Sequence, residues 1–132
     1  MSRVFCTLVA LVAVGLLSGC GDSRKAARGA GASLKDPLDE LGQMLKGLAD
    51  EKRKPPAKLA EMEAIEPTIP LAAPLIRSGE LVYLWGAEYA SGSNKVAAHE
   101  KKAPTDGGWV LLQDGTVKEM TADEFKSAPK AK

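Results

Sequence analysis

The stretch Gly107-Gly108-Trp109-Val110-Leu111-Leu112-Gln113-Asp114-Gly115-Thr116-Val117-Lys118-Glu119-Met120-Thr121-Ala122-Asp123-Glu124-Phe125 decides how this chain of 132 residues is read. Two β-patterned runs flank Asp114-Gly115, a residue pair that marks a hairpin. A two-residue type I′ turn needs positive φ at both central positions. Gly takes that conformation freely and Asp tolerates it better than most residues. This reading sets Gln113 opposite Thr116, Leu112 opposite Val117, and Trp109 near Met120. Apolar side chains then lie on both faces of the ribbon, so each face needs a cover. Thr121 and Glu124 follow at the spacing of a capping box, with Met120 and Phe125 where a hydrophobic staple places its apolar pair. Asp114 and Gly115 are therefore read as a structural turn, and Thr121 and Glu124 as a helix cap.

Upstream of the hairpin, Leu81 to Trp85 is apolar on both faces, as a covered strand is. Ser91-Gly92-Ser93-Asn94 marks a loop, Lys95 to Lys101 a more exposed strand, and Pro104 to Gly108 another loop. Further back the period becomes helical. Asp36 suits an N-cap, Pro37 a first helical position, and Asp39 and Glu40 a first turn. Leu38, Leu41, Leu45 and Leu48 recur at spacings of three and four. Gly42 and Gly47 each cost such a helix about 1 kcal/mol relative to Ala, so it needs a surface to dock on. That surface is either the chain's own sheet or another protein. Pro55-Pro56 ends the helix.

Residues 57–65 allow a short second helix with Leu59, Met62 and Ile65 on one side. Residues 67–79 read as a Pro-rich, extended connection, and 128–132 as a basic, frayed tail. The fold class is α+β. A helix over about 37–50 and a short helix over about 57–65 form a segment at 36–66. A small antiparallel sheet of three to four strands with the Asp-Gly hairpin and a closing helix occupies 80–127.

Little of the sequence offers catalytic chemistry. The only histidine, His99, has Glu100, Thr105 and Asp106 nearby, but no nucleophile-elbow motif frames it. A surface or half-buried strand position is the better reading, and catalysis by a small hydrolase remains a minor alternative. One histidine cannot build a multi-histidine metal site, and Asp106-Gly107-Gly108 and Asp114-Gly115 lack the alternating acids of a calcium loop. There is no phosphate-binding glycine loop either. No catalytic residue, metal or cofactor is expected. Tyr83, Trp85, Tyr89 and Trp109 are read mainly as core, with an aromatic patch facing a ligand or partner as the alternative.

The chain starts with Met1-Ser2-Arg3, followed by a nearly unbroken apolar run from Val4 to Leu17. One positive charge and about 14 apolar residues form the n- and h-regions of a secretory signal, too short to span a bilayer. The run closes with Leu17-Ser18-Gly19-Cys20, which resembles the lipobox of bacterial lipoproteins. The resemblance implies removal of residues 1–19 and lipid modification of Cys20, with palmitate-type acyl chains, in the cell envelope facing the periplasm. An ordinary secretory signal with an incidental cysteine, or an uncleaved anchor, is the alternative. Two or more acyl chains suffice for stable anchoring. Residues 20–35 read as the lipidated cysteine and its tether, and Arg24, Lys25 and Arg28 lie beside the anchor. Setting Arg3 aside leaves 17 basic against 17 acidic side chains, so no nucleic-acid field is expected.

The tail resembles one more family. Val96-Ala97-Ala98-His99-Glu100-Lys101, Gly107-Gly108-Trp109-Val110-Leu111-Leu112-Gln113-Asp114-Gly115-Thr116-Val117 and Thr121-Ala122-Asp123-Glu124-Phe125 are similar to the C-terminal domain of planctomycete prepilin-like proteins, relatives of type II secretion pseudopilins. That domain is named for a His, nine residues and Asp-Gly. Here Pro104 stands where that His would be, and a lipoprotein-type signal replaces the prepilin segment. The resemblance implies a small hairpin-centred domain in an envelope lipoprotein. It also admits an envelope or secretion-system protein as partner. From the sequence, a non-enzymatic binding or scaffolding module at the membrane is expected, with a pseudopilus accessory as the alternative.

Overall fold

The structure, a computed structural model, describes residues 33–132. Helix α1 (Lys35–Asp50) leads into α2 (Leu59–Ala64), a 3-10 turn at Glu66–Thr68, and α3 (Ala72–Ser78). Strands β1 (Leu81–Tyr83), β2 (Val96–Glu100), β3 (Gly108–Leu112) and β4 (Val117–Met120) follow, with a single helical turn α4 (Ala103–Asp106) before β3 and α5 (Ala122–Ser127) after β4. The four strands form an antiparallel meander in the order β1-β2-β3-β4. The α+β class expected from the sequence is the class observed.

Both faces of the sheet are covered. Tyr83, Ala97, Ala98 and Leu111 join Leu38, Leu41, Leu45, Met62, Ile69 and Ile76 in the larger core, under the N-terminal helices. On the other face Val96, Val110 and Leu112 pack with Ala103, Met120 and Phe125. A bulge between Val96 and Ala98 turns both Ala97 and Ala98 toward the larger core. An extra residue in one strand breaks the simple alternation of faces in this way. The whole of β2 is buried, which corrects the exposed strand expected at Lys95 to Lys101. Its small side chains lie between two helical layers.

Helix α1 docks on the chain's own sheet, with Leu38 and Leu41 fully buried and Leu45 nearly so. A Cβ on Gly42 would stand 3.0 Å from Leu111 Cδ1 and 3.4 Å from Gly115 O. The glycine lets the helix backbone approach the hairpin closely. Gly47 has open space around it and carries only the propensity cost. The helix begins at Lys35 with Leu34 as N-cap, two residues before the expected Asp36 cap, and the Lys35 N–H donates to Ser33 Oγ at 3.2 Å. It ends in a Schellman motif: the Lys52 N–H donates to Ala49 O and the Arg53 N–H to Leu48 O. Lys52 is left-handed at φ 55°, a conformation usually given to Gly or Asn.

The hairpin differs from the expected one by a single residue. Leu111 pairs with Val117, and Gly108 with Met120. The Leu112 N–H donates to Thr116 O, and the Gly115 N–H to Leu112 O. The loop therefore has three residues, Gln113-Asp114-Gly115, and only Gly115 is left-handed, at φ 85°. A type I turn followed by a left-handed glycine spares Asp114 the positive φ that a type I′ turn would impose. Asp114 Oδ1 instead accepts the Thr116 N–H at 2.9 Å. A one-residue slip changes which side chains share a face. Val117 thereby joins Leu111 on the larger core, and Leu112 turns to the other.

Three other segments depart from expectation. Helix α3 lies inside the supposed Pro-rich connection. Pro74 sits at its third position, where the missing N–H has no intrahelical partner to lose. The Leu71 and Ala72 N–H groups both donate to Glu40 Oε2, at 2.9 and 2.8 Å, so a carboxylate on α1 caps α3. Replacing Glu40 with Ala is expected to cost about 1 kcal/mol, the usual value of a cap. In a domain of this size that lowers the melting temperature by about 4–8 °C, and calorimetry reads it directly. In α2 only Met62 is buried, while Leu59 is 38% exposed. The C-terminal tail, finally, docks on β2: the Val96 N–H donates to Pro129 O and the Ala131 N–H to Val96 O, both at 2.8 Å.

Candidate binding surface

The four large aromatics do not form one patch. Tyr83 is a core residue, 3% exposed, whose hydroxyl donates to Ala87 O at 3.1 Å. Its burial pushes the phenol pKa well above its ordinary value. Trp85 meets it edge-on at 5.2 Å between ring centroids and is itself 41% exposed. The covered strand expected from Leu81 to Trp85 ends at Tyr83, which leaves the indole at the surface. Trp109 and Tyr89 are half-buried against the larger core.

Tyr89 belongs to a different feature. With Leu45 and Leu48 it lines a groove of about 240 Å³ at the C-terminal end of α1, together with the charged side chains of Lys52, Lys54 and Glu88. The Schellman turn at Lys52 aims this basic run, and a hydrogen bond from the Gly86 N–H to Pro56 O holds it against the loop after β1. Arg53 is engaged by Glu51 at 3.1 Å, whereas Lys52 and Lys54 form no ion pair among the described residues. Beyond Leu48, a second groove of about 330 Å³ runs past Met44, Gly47 and Ile65. Both are open and amphipathic, the first edged mainly by lysines and the second by Glu40 and Glu51. Sequence reasoning missed them, because α1 and the turn after it meet a loop about 35 residues on in the first and the segment at Ile65 and Thr68 in the second. Gly47 was the one local signal.

His99 is buried, 7% exposed, which corrects the surface or half-buried position expected for it. Its Nδ1 lies 2.7 Å from Glu100 O, and its ring packs against Phe125 at 4.6 Å. A carbonyl can only accept, so Nδ1 carries the proton of the neutral ring. Burial holds the imidazole pKa below its ordinary value; the bond to Glu100 O raises it in part, and Lys130 lowers it further. Neighbouring Glu100 points to the opposite face of the strand. Its carboxylate is 6% exposed, lies 3.4 Å from Lys102 Nζ, and takes the space where a Cβ of Gly108 would stand. Among the described residues Glu100 Oε2 finds no hydrogen-bond partner, and Lys102 compensates its charge through space. The two residues face apart and form no acid–base pair.

Thr121 and Glu124 make a complete capping box: Glu124 Oε2 accepts the Thr121 N–H at 2.7 Å, and Thr121 Oγ1 accepts the Glu124 N–H at 3.3 Å. The backbone bond holds the Glu124 carboxyl below the usual carboxylate range. Among the described residues no three His, Cys, Asp or Glu side chains converge as metal ligands, and no helix is long and apolar enough to cross a membrane. Cys20, Arg24, Lys25 and Arg28 lie outside the described residues. No family model, curated protein or solved structure matches this chain.

Proposed function

We propose that this chain is a lipid-anchored envelope protein whose folded part acts as a non-enzymatic binding or scaffolding module at a membrane surface. The observation that carries the reading is the apolar run from Val4 to Leu17 ending in Leu17-Ser18-Gly19-Cys20. The twelve residues between Cys20 and Ser33 span at most about 40 Å, which would keep the domain close to the bilayer. The amphipathic grooves beside α1 support a binding role.

Replacing Cys20 with Ala is expected to move the protein from the membrane fraction to the soluble fraction and to abolish incorporation of labelled palmitate. Unchanged membrane retention and labelling would refute the anchor. A second reading, an accessory of a pseudopilus-like secretion system, rests on the hairpin tail from Gly107 to Phe125. It requires pseudopilin-type partners to be captured when the protein is crosslinked in envelope membranes.

A further inference from the structure

We propose that residues 129–131 form a strap that closes on β2 while His99 is neutral and is released when His99 takes up a proton. The inference does not depend on the lipid anchor.

Strand β1 pairs with β2 at residues 98–100 and leaves the edge at Val96 open. The strap fills that edge as a parallel bridge, accepting the Val96 N–H at Pro129 O and donating the Ala131 N–H to Val96 O. Between those two bonds, Lys130 turns back onto the end of α5. Its ammonium donates to Phe125 O and, at 2.6 Å, to Ala128 O, carbonyls that the helix leaves unpaired. The same ammonium stands 4.2 Å from the centroid of the Phe125 ring. A lysine over an aromatic face is held there electrostatically.

His99 packs on that same Phe125 ring, tilted at 59°. Around it β1 presents Val82, β3 presents Val110 and α5 presents Phe125, none of which can take charge. Lys118, opposite Val110, is exposed. Among the described residues Lys130 is the charged side chain that acts on His99, and no carboxylate offsets it. A proton on His99 therefore creates a second cation in an apolar site around one ring. Departure of the strap removes the first cation and admits water to the imidazole.

Burial outweighs the opposing bond to Glu100 O and, with Lys130 adding to it, sets the direction of the pH dependence. With the strap closed, His99 binds its proton less readily than an exposed histidine does. The closed state is therefore fully favoured above the ordinary histidine pKa of about 6.5, and opening grows as pH falls below it.

The test uses the full-length chain in neutral detergent, where His99 is the only histidine and gives a single ring signal by NMR. Amide exchange at Ala131, corrected for the intrinsic rate, is expected to quicken by up to about tenfold per pH unit below about pH 6.5. Leu111 is expected to stay protected throughout. His99→Gln removes the pH dependence, and Lys130→Met moves the His99 titration midpoint upward. Three results would overturn the strap: flat Ala131 protection, the same pH dependence in His99→Gln, or simultaneous loss of protection at Ala131 and Leu111. If His99→Gln does not fold, the midpoint in Lys130→Met decides, and an unmoved midpoint refutes the proposal.

Discussion

An alanine at position 107 is expected to destabilise the domain by about 3 kcal/mol or more, enough to lower its melting temperature by about 12 °C. Gly107 joins α4 to β3 with φ 76° and ψ 172°, a region of backbone space used almost only by glycine. A side chain held there costs on the order of 1–3 kcal/mol in backbone strain alone. The site also has no room. A Cβ would stand 2.6 Å from Met120 O and 3.1 Å from Thr121 Cα. These are backbone atoms at the junction of β4 and α5, so relief means moving the capping box and Phe125 with it. Chemical denaturation measures the loss, and a cost below about 1 kcal/mol would show that the junction is softer than this geometry requires.

Truncating Leu111 to Ala is expected to cost about 3–4 kcal/mol, within the range seen for buried leucines. Leu111 is fully buried at the centre of the larger core and meets α1 at Gly42. Its loss leaves a cavity that neither sheet nor helix can close without breaking the hairpin contact. A second substitution tests the contact itself. In the native background Gly42→Ala gains helix propensity, worth about 1 kcal/mol, but presses a methyl within 3.0 Å of Leu111 Cδ1. The two effects offset each other. In Leu111→Ala the methyl enters the cavity and the propensity gain is recovered in full. The double-mutant cycle is therefore expected to show coupling of about 1 kcal/mol. Strict additivity would mean that α1 does not dock through Gly42.

Local chemistry made several elements legible. The capping box at Thr121 and Glu124 and the apolar stripe Leu38, Leu41, Leu45 and Leu48 all formed as read. Each depends on residues at most four positions apart within its element. The hairpin was placed correctly, but its register was not. Asp-Gly suits both a two-residue and a three-residue loop, and the choice rests on which of Leu111 and Leu112 the helical layer covers. Prolines at 67, 70 and 74 argued against helix α3, because no local pattern reveals that Glu40, some thirty residues earlier, supplies its cap.

The candidate site was legible only in its ingredients. Tyr83, Trp85, Tyr89 and Trp109 look alike in sequence, yet one is buried, one is exposed and two are half-buried. The basic run Lys52-Arg53-Lys54 gains a groove only because Lys52 turns left-handed and the chain returns beside it. By itself the sequence determined the α+β class, the place of the hairpin and the capping box at Thr121 and Glu124, since these are read from neighbours along the chain. Tertiary structure alone decided that α1 covers its own sheet, that β2 and His99 are buried, and that the tail closes on Val96. Those outcomes depend on contacts between residues tens of positions apart, whose free energy exists only once the layers have met.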